Sequence, residues 1–436
     1  MNKTELEEYF KSDKSSWFKI NDRGIQEWDN LKVDEFWDLI RQFKMKVVDL
    51  DFENYRFPKF NGLTFWGKGE YREFNQNVNF RYAIFQGYTD FQGVIFKGHG
   101  DFIEANFIEL TSFNVTSFLL QVNFYNARFY NDVNFIVANF EKGVFTKTSF
   151  AKKVEFNNSH LKNTTFEGCN FNGMLNFTDA EFIENTSFYN TRMNDAIFDN
   201  INLANSKLKF ENIKFQKESI VLFRNIYFKE NVIFKNCNMT SIAFNNCNIE
   251  KPAFFNCDWN YNSRLILKDE EITKADFKAF FPNLKEIEES YGQLKGYFEN
   301  EKNWELSSLA YVSEMEMRKK RLFNEKNYIP FLFYWFYGYF GGYTHNFTKP
   351  FLWFLNLTFV IVPIAYLFGY YFSFENNLFE IKDFNYFDAL KQSLTVALPF
   401  INSNIMYDSW WAMSLQTIFS SILLTFIILS LRKRFK

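Results

Sequence analysis

From Phe80 onward the large apolar residues fall on a step of five or six: Phe80, Phe85, Phe91, Phe96, Phe102, Phe107, Phe113, Phe118, Phe124, Phe129, Phe135, Phe140, Phe145, Phe150 and Phe156. A helix repeats every 3.6 residues and would carry these positions around its axis; a strand alternates every two and would put steps of five on opposite faces. Neither element accounts for the run, so a coil must be repeating. Two residues before each Phe stands a small or β-branched residue, as at Val78, Ala83, Thr89, Val94, Gly100 and Ala105. Two inward positions per step are thereby specified. Leu161, Met193, Leu203 and Met239 later replace Phe. The register blurs between Ile213 and Tyr227, where a bulge or loop is expected, and resumes at Phe234, Phe244 and Phe254.

Different periods flank the coil. Residues 1–46 read as helical and amphipathic, with Leu31, Phe36, Leu39, Ile40 and Phe43 on the apolar side, which suits a cap over the first coil. After Trp259 the period turns helical: Leu284, Ile287, Tyr291, Leu294 and Phe298 form one face. A polar turn at Asn300–Asn303 follows, then a second face of Leu306, Leu309, Ala310, Met317 and Leu322. This helical hairpin has two readings, a solubilising cap on the last coil and a coupling element, and the two are compatible. Phe351–Phe372 and Ser409–Leu431 are uncharged apolar runs, each long enough to cross a hydrocarbon core of ~30 Å at ~1.5 Å per residue. Pro363 is tolerable in such a helix, and Trp353, Trp410 and Trp411 suit the interface. Ile329–Tyr343 is too short to cross and is expected to lie along a membrane surface. Between the runs, Phe384, Phe387, Leu390, Leu394 and Leu398 predict a short helix that packs one apolar side and ends near Pro399. The expected divisions are 1–46, an N-terminal cap; 47–257, the coil; 258–328, the connector; and 329–436, a membrane domain with two spans.

Composition narrows the function. The chain of 436 residues holds 61 phenylalanines, as a periodic core demands, and its 49 Lys plus Arg against 51 Asp plus Glu leave a net charge of −2. Within 47–257 the balance is 21 − 22 = −1, which argues against a DNA-like acidic surface, and no nucleic-acid partner is expected. Cys237, Cys247 and Cys257 are ten apart, which is two repeat steps, so neighbours face opposite sides of the coil. With Cys169 they read as small buried hydrophobes rather than metal ligands. His99, His160 and His345 are isolated, and Gly67-Lys68-Gly69 lacks the spacing of a phosphate loop. The Asn-x-Ser/Thr triplets at Asn114, Asn163, Asn176 and Asn185 reflect the abundance of those residues in the coil. No enzyme activity, cofactor or metal is expected. The N-terminus lacks the apolar core of a signal peptide. Arg318, Lys319, Lys320, Arg321, Lys326 and Lys349 precede the first span and Arg432, Lys433, Arg434 and Lys436 follow the second. The positive-inside rule then predicts a multi-pass protein of the cell inner membrane with both termini cytoplasmic.

The unit Phe80 to Phe85 with Ala83 between them, continued for most of residues 80–254, resembles the pentapeptide-repeat proteins in their Phe-rich form. That resemblance implies a right-handed quadrilateral β-solenoid with Phe and the small residue pointing inward. The helical connector from Tyr291 resembles one found between such repeats and a membrane pore. In layout, residues 291–436 resemble the two-transmembrane potassium-channel-like family: outer helix, re-entrant pore helix, filter, inner helix. Its filter would fall on Thr395, Val396, Ala397, Leu398 and Pro399. Thr395 and Val396 match that family, but the filter glycines are missing, so the resemblance does not carry potassium selectivity with it. It implies a homo-oligomer, specifically a tetramer. Glu375, Glu380, Asp383, Asp388 and Asp408 against Lys382 and Lys391 give 2 − 5 = −3, with Asp383, Asp388 and Asp408 expected at an outer vestibule. Ser414, Thr417, Ser421 and Thr425 share one side of the second span, where they would line a pore or pack helices. The expected function is a cation pore in a lipid bilayer, of low or uncertain selectivity, gated or assembled through a cytoplasmic repeat domain. The alternative is a membrane-anchored scaffold whose solenoid binds a protein or other ligand without conductance.

Overall fold

The computed structural model describes residues 3–12, 17–22, 24, 26–43, 50–61, 72–203, 206–272, 283–371, 386–397 and 410–434. The chain forms two compact units, Met1–Asn262 with Ile266–Tyr297, and Ser263–Leu265 with Phe298–Lys436.

The first unit is a β-solenoid. Most steps are a two-residue strand and a corner, and each strand pairs in parallel with those one turn before and after. Asn106–Phe107, for example, lies between Ile84–Phe85 and Arg128–Phe129. Because the register repeats, Phe falls on Phe. One column runs through Phe52, Phe80, Phe102, Phe124, Phe145, Phe166, Phe188, Phe210, Phe234 and Phe254, with stacked rings 4.7–5.4 Å apart. Between Phe80 and Phe254 it advances about eight turns. A second column holds Phe91, Phe113, Phe135, Phe156, Phe177, Phe198, Phe223 and Phe244. A third runs from Phe57 through Phe171 to Met193 and Phe215, and a fourth from Phe74 through Phe140 to Leu161 and Phe182. Rings stack within a column and meet edge-on between columns, as Phe102 and Phe113 do at 86°. Both arrangements suit the aromatic quadrupole, and the stacking distance fits the ~4.8 Å strand spacing.

The blurred stretch at 213–227 does not interrupt the ladder. Val221–Arg224 pairs with Ala196–Asp199 on one side and Ile242–Asn245 on the other. The step from Phe198 to Phe223 takes 223 − 198 = 25 positions, against 198 − 177 = 21 for the step before it. The surplus lies in the corners, with a turn at Lys217–Glu218, so the spacing changes while the stacking continues.

The first 46 residues are not wholly helical. Helices α1 (Lys3–Lys11) and α2 (Asn30–Phe43) flank an antiparallel hairpin of Phe18–Ile20 and Gln26–Trp28. Gly24 supplies a left-handed turn residue there, and Phe18 packs on Trp28 at 4.3 Å. Leu31 is exposed; α2 buries Val33, Phe36, Trp37 and Ile40 instead. Phe10 stacks on Tyr55 and Trp37 on Phe57, so the two helices lay aromatic rings on the first turn.

Helix α3 (Leu284–Asn300) closes the other end. The last turns leave backbone N–H groups without a further strand, and side chains take them. Gln293 Oε1 accepts from the Ile249 amide at 2.7 Å and the Tyr297 hydroxyl from the Phe254 amide at 2.9 Å. Asp269 Oδ2 accepts from the Phe244 amide at 3.0 Å, and Ser290 Oγ, which donates to the Glu286 carbonyl at 3.0 Å, lies 3.5 Å from the Phe244 carbonyl. An open sheet edge is thereby satisfied by polar side chains rather than by another strand.

In the second unit, Asn303 caps α4 (Trp304–Asn324) through its side chain. α5 (Tyr328–Gly341) follows, then α6 (Thr348–Asn356), a π turn at Leu357–Ile361 and α7 (Val362–Tyr371) in one continuous helix. α8 (Tyr386–Ala397) and α9 (Trp410–Arg434) complete it. Two stretches, Thr348–Leu367 and Met413–Arg432, are long and apolar enough to cross a membrane. The π turn has a local cause in Pro363, which cannot donate a backbone hydrogen bond.

Candidate functional site between the apolar helices

The π turn frees a carbonyl, and α8 uses it. The Val362 amide bonds to the Leu357 carbonyl and Pro363 has no N–H, so the Thr358 carbonyl accepts from Ser393 Oγ of α8 at 2.7 Å. The hydroxyl of Tyr386 donates to the adjacent Phe359 carbonyl. Gln416 of α9, only 2% exposed, donates through Nε2 to both the carbonyl and Oγ of Ser393, each at 2.8 Å. Its Oε1 accepts from the Tyr366 hydroxyl of α7 at 3.2 Å. One carboxamide therefore ties three helices together. In an apolar surrounding such a network is held firmly, because breaking it strands polar groups with no water to replace the partner.

α8 turns its small face inward. Ala389, Ser393 and Ala397 are buried, with Ala389 packed beside Val362 and Tyr366, and Ala397 beside Phe354 and Leu423. This corrects the expected packing of Phe387, Leu390 and Leu394 on one apolar side: Phe387 is 77% exposed and the two leucines are half-buried. Small side chains let helix backbones approach closely, and that contact outweighs burial of bulk within a single chain. Phe384 and Leu398 lie outside the described residues.

Thr395, Val396 and Ala397 occupy the last turn of α8, and Leu398 and Pro399 lie outside the described residues. Thr395 is buried, with its hydroxyl bonded to the carbonyls of Lys391 and Gln392. Asp388 is exposed in the first turn of α8, while Asp383 and Asp408 fall outside the described residues. Ser414, Thr417, Ser421 and Thr425 are all exposed on α9; Thr417 and Thr425 bond back to the carbonyls of Met413 and Ser421. The face of α9 packed within this chain is a different one, carrying Gln416, Ser420, Leu423 and Ser430. Gln416, Ser393, Thr358 and Tyr366 were not singled out by sequence reasoning. The available signal was Gln416 itself, the one carboxamide in the run Ser409–Leu431.

Elsewhere the polar groups have structural partners. Cys169, Cys237 and Cys247 are buried at inward positions and donate to the carbonyls of Phe145, Phe210 and Phe223. Thr116 and Thr148 do the same toward Phe91 and Phe124. Burial pushes the Cys237 thiol up to about 12 and raises those of Cys169 and Cys247 as well. Among the described residues, no group of three or more His, Cys, Asp or Glu is placed to hold a metal ion. An open cleft of ≈ 510 Å³ lies beside Asp179, Asn202, Asn225, Tyr227 and Lys229, but its asparagines already bond to neighbouring side chains.

Residues 156–202 match the family Pentapeptide repeats (9 copies). Within that stretch the solenoid is built of pentapeptide repeats. The matched residues lie in the same columns as the turns on either side, so the same coil geometry extends well beyond them. Among curated proteins and among solved structures, nothing matches the chain.

Proposed function

We propose that this protein is an oligomeric cation pore of the cell inner membrane, with both termini and a right-handed, quadrilateral pentapeptide-repeat solenoid on the cytoplasmic side. In this reading α6–α7 and α9 cross the bilayer, α8 is a re-entrant pore helix, and the exposed side of α9 with Ser414, Thr417, Ser421 and Thr425 faces a shared lumen. The observation that carries it is the packing of α8: a short helix held between two candidate spans by Ser393, Gln416 and Tyr366, with its small face inward. A helix that merely joined two membrane anchors would have no need of that network.

Purified protein in liposomes should pass monovalent cations under ion substitution. Gln416→Leu should lower that flux about tenfold, since lost interhelical hydrogen bonds cost on the order of 1–2 kcal/mol. Sealed liposomes containing well-folded wild-type protein would reject the pore. A non-conducting scaffold is the second reading. It is favoured by exposed apolar residues on the solenoid, Ile108, Leu110, Val115 and Tyr130, and by the absence of filter glycines. A chain ending before Ile329 should then retain a bound protein partner, whereas a pore would lose all activity.

A further inference from the structure

Between α5 and α6 the backbone takes a conformation that L residues rarely hold. Gly342, Tyr343 and Thr344 are consecutive, with φ of 52°, 51° and 55°. Glycine accepts this freely, but an aromatic and a β-branched residue do not, so surrounding contacts must hold them there. Those contacts reach four helices. The Tyr343 ring is buried against Gly338 of α5, where an added Cβ would lie 2.5 Å from the ring. Its hydroxyl donates to Glu316 Oε1 of α4 at 2.9 Å, and the same carboxylate pairs with Lys319. Tyr337 and Thr344 share a hydrogen bond at 3.0 Å, and Lys349 of α6 donates to the Gly338 carbonyl at 3.1 Å. On the far side, Phe426 of α9 sits against Gly341, where a Cβ would come within 2.9 Å of its ring, and 5.4 Å from Tyr337. The glycines at 338 and 341 are thus two notches in one short helix, one filled from the joint and one from the second candidate span.

We propose that Tyr343 is a positioning residue, a latch through which the connector helix α4 sets the placement of both candidate spans. This rests on the pore reading above only for its consequence, since the latch itself is a packing arrangement. Glu316 is the handle on the connector side and the Gly338–Gly341 notches are the seat. A displacement of α4 cannot be absorbed locally, because the left-handed segment has no slack: moving Glu316 either pulls Tyr343 from Gly338 or drags the start of α6 with it. Burial beside Glu316 also raises the Tyr343 phenol, so it remains a donor throughout the physiological range.

The experiment uses the full chain in nanodiscs, with Cys257→Ser and spin labels at Lys320→Cys and Ile428→Cys, diluted with unlabelled protein. Tyr343→Phe, which removes only the hydroxyl, and Gly338→Ala, which unseats the ring, should both broaden the distance distribution between α4 and α9. Glu316→Gln, which keeps an acceptor oxygen, should leave it narrow. In liposomes Tyr343→Phe should raise basal flux about tenfold, the population change that one hydrogen bond to a carboxylate can supply. A wild-type distribution in folded Tyr343→Phe protein would overturn the proposal. So would a broadened distribution with unchanged flux in a conducting wild type. A wild type that conducts nothing would count against the pore alone, and the label distances would then decide the latch by themselves.

Discussion

The corners of the solenoid show how single residues are chosen. Two positions after the rings of the first and second columns the backbone turns left-handed, and Asn stands at many of these sites, among them Asn126, Asn158, Asn190, Asn212, Asn236 and Asn246. Asn tolerates this region because its short amide bonds locally, and here the amides also bond along the rod: Asn212 donates to Asn190, and Asn236 to Asn212. One residue before the ring, Asn or Asp accepts from the amide after it, as Asn79, Asp90, Asp101 and Asn123 do. Val115 and Val137 break the rule, holding φ of 57° with a branched Cβ. Val115→Asn and Val137→Asn should each stabilise the solenoid by about 1 kcal/mol by relieving that strain, read as a shift in the denaturation midpoint at unchanged slope. Destabilisation by either would mean that the valines' partly exposed side chains matter more than their backbone. The inward pair of each step was legible in the sequence because burial enforces it. The corner ladders were not, because an outward Asn has the same letter whether it bonds to water or to its neighbour.

At the scale of elements, α3 illustrates the same division. Ile287, Tyr291, Leu294 and Phe298 announced the buried face, and all are buried. That Gln293 and Tyr297 finish a sheet edge could not be read from polar letters, since the partner is a backbone defined by the stack. α8 was legible as a short helix, but its inward side was not: apolar periodicity marks the bulky side chains, whereas Ala389, Ser393 and Ala397 win here by being small enough for close helix contact. Asp269 gives the solenoid cap a pH dependence. Its carboxyl is buried, and burial lifts it from 3.8 to about 6. Between those values the folded cap holds a proton that the unfolded chain has released. The contribution is therefore complete below about pH 4 and is lost as pH rises through 6, on the order of 3 kcal/mol for a shift of about two units. Asp269→Asn keeps an acceptor for the Phe244 amide and carries no charge, so denaturation from pH 4 to 8 should show the wild type weakening relative to the variant. Parallel curves would show that the carboxylate is solvated or paired.

For the whole molecule, the two units draw on different forces. The first is held by ring columns and parallel ladders with its ends covered by α1, α2 and α3 side chains, and the second by helix packing around a few buried hydrogen bonds. Phe124→Ala removes a ring stacked at 4.9 and 5.0 Å on its neighbours. It should cost the solenoid about 3–5 kcal/mol and leave the unfolding of the helical unit unchanged, so a calorimetric scan should show one transition moving and one fixed. A joint shift would mean that the units melt as one. The covering helices make these contacts at the ends of the stack: Phe10 lies on Tyr55, Phe36 and Trp37 on Phe57, and Gln293 and Tyr297 bond to the closing turn. The reach of the rod is in consequence a free dimension. A whole turn could be inserted or excised in the middle, and neither terminus would meet a surface different from the one it was made to fit.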